Sequence, residues 1–384
     1  MKFFPLIAAC GVRAAVIREP QQVPILEHTE VHTPHLGEEG PSRPSIGVHF
    51  TSSHAVPAAR YSNGTILDLA TIEGDAEYID LMSRWMTQAP ELVPGEQRAE
   101  LDWCKTYPHH EECGSDAVQR QSSHDFDDPI IRDTAILSKI LMQVRIAVET
   151  ELNIPMTTFA PVFFELRQNQ TQAVQDALEL VGLQSTHSSS SIRGDVLLDT
   201  NAAYAGTGAF LCKAWMDPET CREEKSTRRD QTVLFLDFDN HSFSTSVRSI
   251  RGEATSHSIG SRMLSSELGW WDLPVFKVPR AKFWARVHEA ILDAVGVLGS
   301  QPIDRIVLTG EHGGDEEFKG VAEAAIWSAL GLEVGSMLQT SKVADTGRVT
   351  ARGAAEMAWR REYWRSKAIA YEASLQDVEK ERSI

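Results

Sequence analysis

Short apolar runs that end in polar turns recur along the chain and give it a strand-and-turn rhythm. The clearest case lies at 231–250, where Val233, Leu234, Phe235 and Leu236 run into Asp237. A polar turn, Phe238-Asp239-Asn240-His241, follows, and then the alternation of 242–247, so the stretch predicts a strand, a tight turn and a returning strand. The same figure appears earlier: Ile46-Gly47-Val48-His49-Phe50, the turn Thr51-Ser52-Ser53-His54, and a return over 55–60. Asn63-Gly64 is a hairpin signal before a third short strand at 65–69. A strand-turn-strand unit used twice predicts two related lobes facing one cleft.

Helical periodicity fills the intervals. The spacing predicts helices over 76–87 and 96–105, anchored by Trp85 and Trp103. Another covers 133–152, with Ile136, Ile140, Val144 and Ala147 on one face and Pro155 beyond its end. A strand at 157–164 precedes a helix at 168–181 stopped by Gly182. The Ser-rich tract 185–191 reads as a loop and 196–198 as a buried strand. Asp199-Thr200-Asn201 then caps a small-residue helix over 202–208. The stretch 252–271 is mixed. A helix at 280–298 buries Phe283, Val287, Ile291 and Val295, and Lys277, Arg280, Lys282 and Arg286 read as a solvated helix face. A strand at 305–310 runs into Glu311-His312-Gly313-Gly314, followed by a helix at 318–330, a short strand at 334–340 and a closing helix at 350–372. Strands alternating with helices make the class α/β.

Charge narrows the partners. A net charge of -17 over 384 residues disfavours nucleic acid and anionic membranes, and no apolar run is long enough to span a bilayer. Residues 1–17 combine a basic start with a short apolar stretch, the pattern of a secretory signal peptide; a buried first strand is the competing reading. Residues 18–44 are an extended leader. Removing the first segment takes Cys10 with it and leaves two pairs at equal spacing, Cys104 with Cys113 and Cys212 with Cys221. Each pair closes as a short disulfide hairpin on this reading; a metal site from Cys104, His109, His110 and Cys113, or free thiols, are the alternatives. Asn63, Asn169 and Asn240 each open an N-x-S/T sequon for glycosylation. Together these point to a secreted protein or one of the endoplasmic reticulum lumen.

Six segments, in order, resemble the nucleotide-binding domain of the Hsp70 chaperones, within the actin-like ATPase (ribonuclease H-like) superfold. Residues 46–53 stand where that family has I-G-I-D-L-G-T-T, 160–164 where it has V-P-A-Y-F, and 198–203 where it has N-E-P-T-A-A. Residues 236–243 stand where F-D-L-G-G-G-T-F belongs, 306–310 resemble I-V-L-V-G-G, and 351–355 resemble the A-x-G-A-A start of the last helix. The resemblance implies a bilobal fold, a first lobe over 45–195 and a shortened second lobe over 196–384, with an ATP and Mg site between them.

Carried across by position, His49 stands for the metal-holding Asp, Thr51 for a glycine, and Asp199 for the Glu that orders water. Asp237 is kept, while Asp239, Asn240 and His241 replace three glycines. A phosphate loop needs bare backbone N–H groups and tolerates little added negative charge. The expectation is therefore a catalytically inactive scaffold that acts through an unidentified protein partner, without nucleotide or metal and without the chaperone's peptide-binding domain. The alternative is an ATP-binding or ATP-hydrolysing relative with Asp199, Asp237 and His49 as its residual catalytic groups. Ser52, Ser53, Asp239, His241, Ser242, Gly310 and Gly313 are the candidate cleft residues, and His49, His241, Asp239 and His312 are those that another cleft ligand would meet.

Overall fold

The computed structural model describes residues 43–88, 129–187, 196–209, 211–252, 255–299, 301–339 and 345–382. The helix expected at 96–105, the Cys104–Cys113 pair, and the signal and leader segments up to residue 42 lie outside the described residues.

Two mixed sheets share one plan. In the first, β1 (Ser45–Phe50), β2 (His54–Arg60) and β3 (Ile66–Asp68) form an antiparallel meander, with β4 (Ile72–Glu73) also paired to β2. After α1 (Ala76–Thr87) and α2 (Pro129–Leu152) the chain returns as β5 (Thr158–Phe163), parallel to β1. Following α3 (Gln168–Leu180), β6 (Gln184–Ser185) and β7 (Leu197–Leu198) both add in parallel to β5. The second sheet repeats this. β8 (Gln231–Phe238), β9 (Phe243–Gly252) and β10 (Thr255–Ser265) form the meander, and β11 (Arg305–Thr309) lies parallel to β8 after an intervening helix.

The remaining helices are α4 (Asp199–Gly206), α5 (Pro218–Thr227), α6 (Lys277–Gly296), α7 (Glu316–Leu330), α8 (Gly335–Gln339) and α9 (Val349–Arg382). β7 joins the first sheet, so that sheet extends past the expected boundary at 195. The closing helix α9 also returns to it, and Gly47 on β1 leaves no room for a Cβ, which would sit 2.3 Å from the Ala355 nitrogen.

Strand parity decides which side chains reach the space between the sheets. On β1, Ile46, Val48 and Phe50 enter a core with Leu137, Leu141 and Phe163, which leaves Gly47 and His49 on the opposite face. On β8, Leu234, Leu236 and Phe238 pack on Val287, Ile291 and Phe318. Val233 and Phe235 instead pack on Tyr204 of α4, and Asp237 shares their face. α4 and α9 cross where both carry glycine: a Cβ on Gly353 would lie 1.9 Å from the Ala202 carbonyl oxygen, and one on Gly206 2.0 Å from that of Val349.

Several local expectations change. The stretch 252–271 contains a full strand, β10, whose Ser-rich sequence and Gly260 at φ +78° hide the alternation. The strand expected at 334–340 is the short helix α8. Asp199 is the first residue of α4 and not its cap, the N-cap being Leu198. The loop between Cys212 and Cys221 is not a hairpin, because Cys221 lies in α5, a helix with no buried residue. The disulfide itself is present, with Cα atoms 5.5 Å apart. Of the basic residues at the start of α6, Arg280 pairs with Glu317 and Arg286 with Glu267.

Candidate functional site between the two sheets

Two turns face each other across the space between the sheets. The first, Thr51 to His54, connects β1 and β2 and holds itself closed. The Thr51 amide donates to the His54 carbonyl at 2.9 Å, and Thr51 Oγ1 accepts from the amides of Ser53 at 3.3 Å and His54 at 3.1 Å. The Tyr78 hydroxyl donates to the Thr51 carbonyl at 2.8 Å and ties the turn to α1. The second turn, Asp239 to Ser242, is closed by the Asp239 amide donating to the Ser242 carbonyl at 2.9 Å. Its Asp239 and Asn240 carbonyls accept from the amides of Trp270 and Trp271, each at 3.0 Å. In the first turn the amides of Thr51, Ser53 and His54 are thus taken by the protein itself, as is the amide of Asp239 in the second.

The turns touch directly: Ser52 Oγ and Ser242 Oγ are 2.9 Å apart and buried. Beside them, Arg262 of β10 reaches over to α4. Its guanidinium grips Asp199 in a fork, Nη1 to Oδ1 at 3.1 Å and Nη2 to Oδ2 at 2.5 Å, and Nη2 also approaches Ser244 Oγ at 3.3 Å. Burial alone would lower the Arg262 pKa, but Asp199 and Asp237 hold it above its ordinary value. His49, Ser52, Asp199, Asp237, Ser242 and Arg262 line one cavity of about 10 Å³, space for roughly one water molecule.

The carboxylates differ in their surroundings. Asp237 accepts from Thr309 Oγ1 at 2.9 Å; burial, then the neighbouring Asp239 charge, raise its pKa to about 7. Asp239 is 1 % exposed and neither of its oxygens has a hydrogen-bond donor within reach. His49 is buried, its Nδ1 has no partner, and desolvation pushes its pKa down to about 4, so the imidazole is neutral at physiological pH. Of Asp237 and His49, the first is hydrogen-bonded to a hydroxyl, that of Thr309, while His49 Nδ1 has no partner.

The other expected residues fall around this centre. Ser53 Oγ lies 2.9 Å from His54 Nδ1, turned back on its own turn. Gly310 adopts φ +82°, and a Cβ there would come within 2.3 Å of the Phe238 carbonyl oxygen and 2.9 Å of Asp237 Oδ1. Gly313 is pressed on the Thr309 carbonyl. These glycines serve close chain packing beneath Asp237. His241 is partly exposed and meets the Trp271 ring edge-on, and Trp270 stacks on His312 at 4.1 Å. His49, Asp199 and Asp237 are therefore brought together; His241 and His312 lie at the rim.

No family model matches the chain, and no curated protein aligns with it significantly.

Asn63 and Asn169 are exposed. Asn240 is engaged: its Nδ2 donates to Glu311 Oε2, and its Oδ1 accepts from His312 Nε2 at 2.9 Å. Among the described residues no group of three or more His, Cys, Asp or Glu is arranged to hold a metal ion. Among them, too, no helix is long and apolar enough to cross a membrane.

The residues that sequence reasoning missed are Arg262 and Ser244. Arg262 sits in a stretch without strand periodicity and meets a carboxylate 63 positions away, so no local pattern marks it. Arg262 thus occupies Asp199, and the buried Asp239 carboxylate beside this pair has no donor.

Proposed function

We propose that the chain is a non-hydrolysing member of the actin-like ATPase superfold, a two-unit frame that acts through protein contacts. The repeated sheet order supports the superfold: three antiparallel strands followed by a parallel return beside the first, in both sheets. The six ordered segments that resemble the Hsp70 nucleotide-binding domain support the closer kinship. A disulfide between Cys212 and Cys221 is compatible with an oxidising compartment and favours a secreted or lumenal location.

One observation carries the non-catalytic reading. Arg262 fills the space between the units with its own positive charge and neutralises Asp199 there. Nucleotide binding would have to break this buried pair and the Ser52–Ser242 contact, then desolvate a triphosphate against Asp239. Breaking a buried pair by removing one partner costs about 3–5 kcal/mol. The second reading, a nucleotide-binding enzyme, rests on Asp199 and Asp237 lining one cavity.

Thermal unfolding and phosphate release separate the two. With millimolar Mg-ATP the unfolding midpoint stays where it is without ligand and no phosphate appears above the uncatalysed background. A stabilised midpoint together with phosphate release that disappears in Asp237→Ala would establish the enzyme instead.

A further inference from the structure

The corner that joins β10 to α6 carries apolar side chains in water. Trp271 is 66 % exposed, Val275 91 %, Phe276 79 % and Val278 67 %. A contiguous set of this kind is unlike the scattered single hydrophobics of ordinary surfaces. The corner is also fixed in place. The Trp270 and Trp271 amides are held by the second turn, and those of Asp272 and Leu273 close on Gly269 and Trp270, each at 3.1 Å. Gly269 lies so close to that turn that a Cβ would be 2.5 Å from the His241 carbonyl carbon.

Phe276 supplies an independent sign. It is the N-cap of α6, with φ -77° and ψ 137°, and makes no side-chain capping bond. Ser, Thr, Asn or Asp at such a position stabilises a helix by about 0.5–2 kcal/mol over a residue that cannot cap. Phenylalanine gives up that gain and buries little of its ring in return. A local rule broken with no folding benefit marks a site kept for another purpose.

Charge indicates what the corner meets. Arg280 and Arg286 are neutralised by Glu317 and Glu267, and the Asp272 carboxylate turns back to the Gly269 amide at 3.2 Å. Lys277 and Lys282 are exposed and form no ion pair among the described residues. Two free positive charges thus flank an apolar tip on a chain of net charge -17. Side chains exposed to this degree project into water, so their complement is a recess. That net charge opposes approach to an anionic lipid surface and to a second copy alike.

We infer that the corner formed by Trp271, Val275, Phe276 and Val278 docks into an apolar groove of a protein partner whose rim carries carboxylates opposite Lys277 and Lys282. Two rigid aromatic anchors inside a charged rim are the usual makings of a binding hot spot, and their fixed backbone lowers the ordering cost of association. The inference rests on the non-catalytic reading only for the class of partner, and its readouts are independent of nucleotide.

The test pans a library of random twelve-residue peptides on the full chain, then measures the recovered peptides against variants. Recovered binders are expected to pair apolar residues with Asp or Glu and to weaken in high salt. Trp271→Ser and Phe276→Ser should each reduce affinity about tenfold or more, while Phe276→Ser raises the unfolding midpoint by restoring a cap. Failure to recover binders, or binders indifferent to both variants, would overturn the inference. So would pelleting with phosphatidylserine vesicles, or concentration-dependent self-association, that the same variants abolish. Mg-ATP turnover would overturn the non-catalytic reading while leaving these readouts intact.

Discussion

Burial acts on Asp237 and His49 in opposite directions, because it disfavours whichever form carries charge. Asp237 rises from 3.8 to about 7, with Asp239 and Asp199 adding to the shift and Thr309 and Arg262 opposing it. Between those values the folded chain holds a proton that the unfolded chain has released, so Asp237 costs stability progressively as pH rises from about 4 to 7. His49 falls from 6.5 to about 4, and here the unfolded chain holds the extra proton, so stability is lost as pH falls through that window. Asp237→Asn keeps an acceptor for Thr309 and removes the ionisation. Denaturant unfolding should therefore show Asp237→Asn more stable than the parent at pH 8, by on the order of a few kcal/mol, with the gain vanishing near pH 4. An equal loss at every pH would contradict the assignment. Arg262→Met is expected to cost about 3–5 kcal/mol, and adding Asp199→Leu to recover much of it, since the penalty lies in leaving one buried charge alone. Additive losses in that cycle would show that the two side chains do not act as a pair.

The elements that position these residues differ in how openly the chain announces them. β1 and β8 are legible because each is a short apolar run that ends in a polar turn; both faces of β8 are buried, so its sequence does not say which face carries Asp237. β10 is not legible, since Ser256, Ser258 and Gly260 give it no apolar stripe, and Arg262 is hidden with it. α5 buries nothing, so no periodicity could mark it. α8 is five residues long, too short for 3.6-residue spacing to outweigh an apolar run. The crossing of α4 and α9 is a sharper matter. Gly353→Ala would place a methyl 1.9 Å from the Ala202 carbonyl, and the expected cost is about 1–3 kcal/mol, read as a lowered unfolding midpoint. Gly320, on α7 with open space around it, is the control; Gly320→Ala should be neutral or mildly stabilising. Opening the Cys212–Cys221 disulfide by Cys212→Ser with Cys221→Ser should cost about 2–3 kcal/mol for so short a loop, and equal unfolding midpoints with and without reductant would remove that bond from the account.

For the whole molecule, the presence of two mixed sheets is readable because a strand-turn-strand figure occurs twice, at 46–60 and at 231–250. What closes the space between the units is not, because Ser52 with Ser242 and Asp199 with Arg262 are contacts between distant segments. Glycans, where the chain is glycosylated, are expected at Asn63 and Asn169 and not at Asn240, whose amide is committed to Glu311 and His312; mass spectrometry after enzymatic deglycosylation reads this directly. The central question is whether the protein's own groups shut the space between the two turns. Amide hydrogen exchange at Thr51, Ser53, His54 and Asp239, whose N–H groups are bonded within the turns, measures that most directly, with and without saturating Mg-ATP. Slow exchange at these amides in the free protein and no change on adding nucleotide are expected. Fast exchange in the free protein that becomes slow with Mg-ATP would contradict closure by the protein's own groups.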